Sequence, residues 1–252
     1  MRIDYPQENQ LNDLKKLWQE AFGDEQAYID CFYDTAFSPD RCRCVTVEDQ
    51  LAGGLYWLDC RCHDVPMAYL YAVATDKKFR NQGICHALME DTHRLLKELG
   101  YAGAILVPGE ESLFKFYAAM GYETCGGMIQ FTCKAEDPIP LQEISAMEYA
   151  QLRRERLPAG GVIQEGENLA FLATQAELYI GQNCLLAAVR DGNALRGLEL
   201  LGDHQTAPAI VQTLGYAMGY FRIRGQSRPF AMYRPLGSST LAAPTYFGLA
   251  FD

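Results

Sequence analysis

An α/β fold with a mixed sheet is what this sequence predicts, and three observations predict it. Residues 69–122 run through an apolar stretch, a polar turn, an amphipathic stretch, a second apolar stretch and a second amphipathic one, the order strand, turn, helix, strand, helix. Ahead of them, residues 43–48 and 51–62 read as two strands joined at Asp49-Gln50, a hairpin and therefore antiparallel pairing. Beyond the two-proline segment 134–140 (KAEDPIP), helices, a hairpin, a helix and strands recur in loosely the same order. The expected organisation is a first domain over residues 1–134 and a second α/β domain over 139–252.

The elements follow from spacing. Residues 9–22 place Leu11, Leu14, Leu17, Trp18 and Ala21 on one helical face, and Gly23 ends the helix. Residues 27–37 form a second helix with Ile29, Phe32, Tyr33 and Ala36 inward. A strand over 67–74 leads to a long helix over 83–99, with Leu88, Thr92, Leu95, Leu96 and Leu99 on one side and Gly100 as its left-handed stop. Residues 102–107 are short and continuously apolar, as a buried central strand requires. A helix over 111–120 turns Phe114, Tyr117 and Ala118 inward and stops at Gly121, and 126–133 finishes the sheet. In the second half, 145–154 and 169–179 read as helices, 184–190 and 194–201 as a hairpin turning at Asp191-Gly192-Asn193, 206–214 as a helix, and 220–224, 229–233 and 246–250 as strands.

Length and composition set bounds. A chain of 252 residues with 49% hydrophobic and 21% charged residues has the profile of a globular protein with ample core. No apolar run approaches the ~20 residues that span a bilayer, and the start, MRIDY, lacks a signal-peptide layout, so a cytoplasmic location is expected. A net charge of −10 disfavours nucleic acid or an anionic membrane as partner and suits a cationic amine. A homo-oligomer is left open. Nine cysteines are an odd number, so no complete disulfide set can form within the chain. Cys42-x-Cys44 and Cys60-x-Cys62 miss the usual zinc spacing, and alternate residues of a strand share a face, so free thiols in the core explain them and no metal is expected.

The polar turn between residues 75 and 85 carries the chemistry. A helix starting where a strand ends leaves its first backbone N–H groups unpaired and pointing outward. With the positive end of the helix dipole they suit an anion, phosphate above all. Lys77, Lys78 and Arg80 make this turn basic within an acidic chain. An isolated R-x-x-G is more often a plain helix start, but here strand, loop, helix, second strand and Tyr-bearing helix fall in order. A dinucleotide fingerprint is excluded, since G-x-G-x-x-G is absent.

Arg80-Asn81-Gln82-Gly83-Ile84-Cys85 resembles the R/Q-x-x-G-x-G/A loop of the GCN5-related N-acetyltransferases (GNAT), which cradles the pyrophosphate of acetyl-coenzyme A. Phe116-Tyr117-Ala118-Ala119-Met120-Gly121-Tyr122 is similar to that family's Y-x-x-x-G-F/Y ending. The chain departs from the family at Cys85, where a Gly or Ala is usual, and at Glu110, near where an Asn often stands. The resemblance implies a GNAT fold followed by a second, degenerate GNAT-like half, since the second half has no such loop: Leu198–Gly202 runs straight into Asp203-His204. It implies acetyl-coenzyme A as co-substrate, held by the backbone of Ala72, Val73 and Ala74 and by Arg80, Asn81, Gln82, Gly83, Ile84 and Cys85. It also implies transfer of an acetyl group to an amine, of a small molecule or a peptide, with Tyr117 as the acid that protonates the departing sulfur and the Val73 N–H as donor to the carbonyl oxygen. A phenol with a pKa near 10 keeps its proton at neutral pH and can donate it; a hydrogen-bonded core tyrosine is the other reading of Tyr117.

The base is open: the strand has no carboxylate before Asp76, and His63, Glu48 and Asp59 are candidates elsewhere. In the related enhanced-intracellular-survival branch the terminal carboxylate reaches back into the active site. The apolar, aromatic end here (PTYFGLAFD) is expected to dock, which makes Asp252 a second catalytic candidate through its side chain and α-carboxyl; the other reading of 246–250 is a last strand with Asp252 in solvent. Without a clear base, a regulatory module that holds acetyl-coenzyme A without turning it over stays in view.

Overall fold

The computed structural model describes residues 1–237 and 241–251. Backbone contacts group the chain into two units, and neither is continuous in sequence. The first comprises Met1–Leu106, Lys115–Tyr122 and Tyr233–Leu241, the second Val107–Phe114, Glu123–Met232 and Ala242–Asp252. The segment 134–140 lies within the second unit.

The first unit holds β1 (Arg2–Asp4), α1 (Leu11–Phe22), α2 (Gln26–Thr35), β2 (Cys42–Val47), β3 (Gln50–Cys62), β4 (Val65–Thr75), α3 (Ile84–Glu98), β5 (Gly103–Leu106) and the last residues of α4 (Glu111–Ala118). Its strands lie in the order β1-β2-β3-β4-β5, antiparallel up to β4 and parallel from β4 to β5. Both hairpins turn on pairs of residues with positive φ, Glu48-Asp49 and His63-Asp64, as two-residue turns that match the strand twist do. The first of these sits one residue earlier than the spacing suggested. Gly54 and Gly53 show what covers each face of the sheet. A Cβ on Gly54 would lie 2.6 Å from Leu14 of α1, and one on Gly53 would lie 3.7 Å from Ile84 of α3. Trp18, Ile29 and Phe32 from α1 and α2 therefore pack on one face, with Tyr56 and Tyr71 against Trp18, while Ile84, Leu88, Met89 and Leu96 of α3 pack on the other. Gly23 and Gly100, both with positive φ, stop α1 and α3 as the sequence indicates.

The second unit holds β6 (Glu123–Lys134), β7 (Leu141–Glu143), α5 (Ala146–Arg156), β8 (Ile163–Gln164), α6 (Glu167–Gln175), β9 (Glu177–Gly181), β10 (Cys184–Asp191), β11 (Ala194–Gly202), α7 (Ala207–Thr213), β12 (Met218–Arg224) and most of β13 (Arg228–Pro235). Its strand order is β6-β12-β11-β10-β9-β7. The antiparallel hairpin β10–β11, the helix α7 and the strand β12 parallel to β11 repeat the connectivity of β3–β4, α3 and β5. The β11–β12 pairing stops at Gly197↔Phe221, and there the Arg222 Nε donates to the Leu198 carbonyl (3.0 Å).

Three expectations change. Residues 169–179 split into α6 and β9, because the helix closes at Ala176 and Leu178–Ile180 pair with β10 instead. Residues 246–250 are not a strand: Tyr246 makes a single bridge to Gly161, and the rest is held by side chains. Leu99 and Ala118, read as inward, are exposed at helix ends, where the last turn swings away from the face its helix buries.

The chain's end docks within the second unit. Fully buried Arg153 donates to both Glu199 oxygens (2.8 and 3.1 Å), to the Val162 carbonyl (2.9 Å) and to the Phe247 carbonyl (3.0 Å). Tyr149 and Tyr246 each donate to Glu199 (2.8 Å), and the Gln164 amide donates to the Leu249 carbonyl (2.7 Å). Gly248 passes at φ 84°, where a Cβ would strike Glu199, so only glycine fits. Phe251 packs edge-on against Phe171 at 5.1 Å. Removing one member of such a buried pair strands the other's charge, which costs about 3–5 kcal/mol. Arg153→Met should lower the urea unfolding free energy by that amount; a loss under about 1 kcal/mol would show the cluster to be incidental.

Candidate functional site

β4 stays paired with β3 to its end, at Gly53↔Thr75, but its pairing with β5 covers only Met67↔Gly103, Ala68↔Ala104 and Tyr69↔Ile105. Beyond Tyr69 the two strands part. β5 ends one residue later, at Leu106, while β4 runs on and carries an irregularity of its own. Between the pairs Tyr56↔Tyr71 and Gly54↔Ala74, β3 contributes one residue and β4 two, Ala72 and Val73. That bulge bends the strand and re-aims its backbone, and Ala72 takes a left-handed φ of 47° to form it. Ala72 and Val73 are half-buried, Ala74 buried. The three strand residues of the expected coenzyme site thus lie on the stretch where β4 has left β5.

The loop that follows is tied back to the strand end. Asp76 accepts from the Lys78 N–H (2.7 Å), the Arg80 Nε donates to the Thr75 carbonyl (3.1 Å), and the Gln82 amide donates to the Lys78 carbonyl (3.0 Å). Asn81 and Gly83 both have positive φ, which curls the backbone into the start of α3. No side chain caps that start, and its first turn has no acidic residue. The first intrahelical bond runs from the Ala87 N–H to the Gly83 carbonyl, so the N–H groups of residues 83–86 have no partner within the helix. A Cβ on Gly83 would meet nothing within 4 Å. The space in front of these donors is open, and the geometry suits a phosphate. Cys85, the departure from the motif, is half-buried, and burial pushes its thiol up to about 11 against a hydrogen bond with Thr75. It is therefore neutral at pH 7 and sets no negative charge against an anion.

Tyr117 is 7% exposed, and burial, then the nearness of Cys85, raises its phenol above the usual range. Its ring is held edge-on by Phe116 (5.3 Å) and Tyr122 (5.8 Å). Among the described residues its hydroxyl has no hydrogen-bond partner, and it is not one of the fully enclosed polar atoms. That departs from what a purely structural buried tyrosine shows.

Two residues that the sequence reading passed over stand behind it. His93, 4% exposed, lies 2.7 Å from the Tyr122 hydroxyl through Nε2 and 2.6 Å from Arg234 Nη1 through Nδ1, and Arg234 also binds Glu90 (2.5 Å). His93 sits one turn from Met89 on a face broader than its leucines mark, which was the available signal; for Arg234, far along the chain, there was none. The candidate bases are dispersed. Glu48 and His63 occupy exposed hairpin turns, and Asp59 is engaged by Arg41 (3.1 Å) and by the Tyr101 hydroxyl. Glu110 is exposed and accepts from Ser112. Asp252 lies outside the described residues. The four cysteines of the C-x-C pairs are free thiols buried on β2 and β3, with Cys60 donating to the Met67 carbonyl (3.3 Å) and Cys44 to the Asp4 carbonyl (3.6 Å). Among the described residues no group of three or more His, Cys, Asp or Glu side chains is placed to hold a metal ion, and no helix is long and apolar enough to cross a membrane.

Residues 2–125 match the model of the acetyltransferase (GNAT) domain family. They form a GNAT domain. No curated protein matches the chain. Among solved structures the fold is similar to a GCN5-related N-acetyltransferase from Kribbella flavida (18% identity, 93% of this chain and 70% of that one, TM-score 0.72). It is similar to another from Anabaena variabilis (16%, 94% and 73%, 0.73) and to Eis1 from Mycobacterium abscessus (13%, 94% and 74%, 0.68). The likeness in fold to these structures extends over nearly the whole chain.

His93 of the GNAT domain gives a pH signature. Burial first, then the Arg234 charge, lowers its pKa from 6.5 to about 4, while Glu90 opposes this and His86 adds slightly to it. The unfolded chain therefore binds a proton that the folded one refuses between those values. The contribution is fully present above pH 6.5 and is lost as pH falls toward 4, on the order of 3 kcal/mol in all. Stability measured from pH 7 to 4 should fall less steeply in His93→Gln than in the wild type; parallel curves would contradict the assignment.

Proposed function

We propose that this protein is an acetyl-coenzyme A-dependent N-acetyltransferase that moves an acetyl group to an amine of a small molecule or peptide. The observation that carries the proposal is Tyr117, a buried phenol with no hydrogen-bond partner among the described residues, near Cys85 in the first turn of the uncapped α3. The residues fit the co-substrate: Ala72, Val73 and Ala74 offer parted strand backbone to pantetheine, and the loop Arg80–Cys85 offers unpaired N–H groups to the pyrophosphate. When bound, acetyl-coenzyme A supplies an activated thioester. Val73 N–H would donate to the carbonyl oxygen as charge gathers there. As the new C–N bond forms and the C–S bond breaks, Tyr117 would give its proton to the sulfur, and the proton of the amine nitrogen would pass to solvent or to a carboxylate, Asp252 being the candidate.

The acidic chain suits a cationic acceptor and disfavours nucleic acid or a membrane as partner, and a cytoplasmic location and a degenerate second GNAT-like domain belong to the same reading. The dispersed positions of Glu48, Asp59 and His63 favour a second reading, a module that binds acetyl-coenzyme A without turnover. Release of free thiol with a panel of amines separates the two.

Acetyl-coenzyme A should raise the melting temperature by mass action, and Gly83→Glu should abolish that shift by placing bulk and negative charge before the N–H donors. An unchanged shift would end the loop assignment. Tyr117→Phe should keep coenzyme affinity while kcat falls ~10²–10⁴-fold, the usual worth of a general acid; turnover within a few-fold of wild type would leave Tyr117 as packing. Deleting Asp252 alone spares the Phe251–Phe171 contact. Full activity in that variant would remove the terminal side chain from the mechanism.

A further inference from the structure

Among the described residues, Tyr122 carries a hydrogen-bond donor with no acceptor. A guanidinium has donors only, so the His93 Nδ1 that meets Arg234 Nη1 at 2.6 Å must be a lone pair. The imidazole is neutral, its proton sits on Nε2, and at 2.7 Å that proton is donated to the Tyr122 oxygen. The reverse arrangement would set an N–H of His93 against an N–H of Arg234, with the Glu90 carboxylate at 3.6 Å too far to accept it. Tyr122 therefore accepts from His93 and keeps its own O–H, which has no acceptor among the described residues although the side chain is 2% exposed. An unspent buried donor costs stability unless something uses it. Besides His93, the ring of Tyr117 lies against Tyr122, edge to face at 5.8 Å.

We propose that Arg234 is a positioning residue for acetyl transfer: by fixing the tautomer of His93 it holds the Tyr122 hydroxyl as a spare donor beside Tyr117, ready for the phenolate left when Tyr117 gives up its proton. This rests on the reading of Tyr117 as the acid. It also means that the family-matched segment 2–125 is completed by a residue from β13. Glu90 binds the same guanidinium and holds it on α3, so the chain of contacts runs Glu90, Arg234, His93, Tyr122, Tyr117.

The test uses the full-length protein. Arg234→Met should lower kcat roughly 10- to 100-fold, as expected for losing a hydrogen bond to a charged group, with the KM for acetyl-coenzyme A unchanged. Arg234→Lys, which keeps a donor, should restore most of kcat. Tyr122→Phe should cost about as much as Arg234→Met, and the double variant should cost no more than either, since both remove one device. Additive losses, a kcat in Arg234→Met within threefold of wild type, or a lysine variant that regains the melting temperature but not kcat would each overturn the proposal. Nitrogen NMR of the His93 side chain reads the tautomer without any acceptor: a wild-type proton on Nδ1 overturns it as well. Failure of the underlying reading shows separately, as undiminished turnover in Tyr117→Phe.

Discussion

The parting of β4 from β5 after the Tyr69–Ile105 pair is the constraint on which the rest of the first unit depends. A parallel pair normally runs on for as long as both strands do, because each further pair satisfies backbone groups that otherwise need another partner. Here β5 ends at Leu106, the bulge at Ala72 and Val73 bends β4 beyond that point, and β3 keeps β4 ordered from the other side through Thr75. The place where the strand ends then fixes the loop. Arg80 is tied to the Thr75 carbonyl and Cys85 to the Thr75 side chain, so the start of α3 is anchored to the end of the parted strand. The strand backbone beyond the β5 pairing and the uncapped start of α3 are thereby brought together at Thr75.

The second unit begins from the same connectivity and reaches the opposite result. β11 and β12 also part after a few pairs, but the Arg222 Nε donates to the freed Leu198 carbonyl, and the guanidinium also reaches the Ala250 carbonyl (3.5 Å). What a ligand would satisfy in the first unit, the chain satisfies itself. The loop differs in the same sense. Asp76 and Asp203 each cap a short turn after the strand, at Lys78 and at Gln205. In the first unit four residues, 80–83, then separate that turn from α3, whereas in the second the turn runs directly into α7, and Pro208 in its first turn removes an N–H donor. The second unit thus keeps the strand order of the first while its own side chains take the freed carbonyl and its turn leads straight into the helix.

Most of the fold and the loop were legible because local rules decide them. Helical spacing found α1 and α3, glycines marked their ends, and Arg80–Cys85 could be placed because a strand, a turn and a helix must follow one another there. The misreadings have tertiary causes. Residues 177–179 read as helix because apolar residues on a buried strand and on a buried helix look alike over so short a run, and β10 decides between them. Residues 246–250 looked like a strand but are held by Arg153 and Gln164, whose side chains take their carbonyls. The bulge at Ala72 left no mark, since alanine is an unusual residue for positive φ. Nor could Arg234 be paired with His93 from the sequence, because nothing local joins positions 141 apart.

The electrostatics of the site join these pieces. Burial raises Tyr117, and in the proposed reaction that alone would make it a poorer acid toward a sulfur anion, since an ordinary thiol ionises below an ordinary phenol. The same surroundings act on sulfur too: Cys85, coupled to Tyr117, has its thiol pushed up to about 11 by burial. A thiolate formed beside the phenol would lose hydration in the same way and become a stronger base, which keeps the proton transfer near balance. What remains is the cost of leaving a phenolate in a dry place. Neutral Cys85 and neutral His93 cannot offset it by charge, but a hydroxyl already oriented and not otherwise engaged can do so by hydrogen bonding, with no reorganisation at the moment of reaction. The arrangement proposed at Tyr122 would meet that requirement, with Arg234 holding His93 neutral.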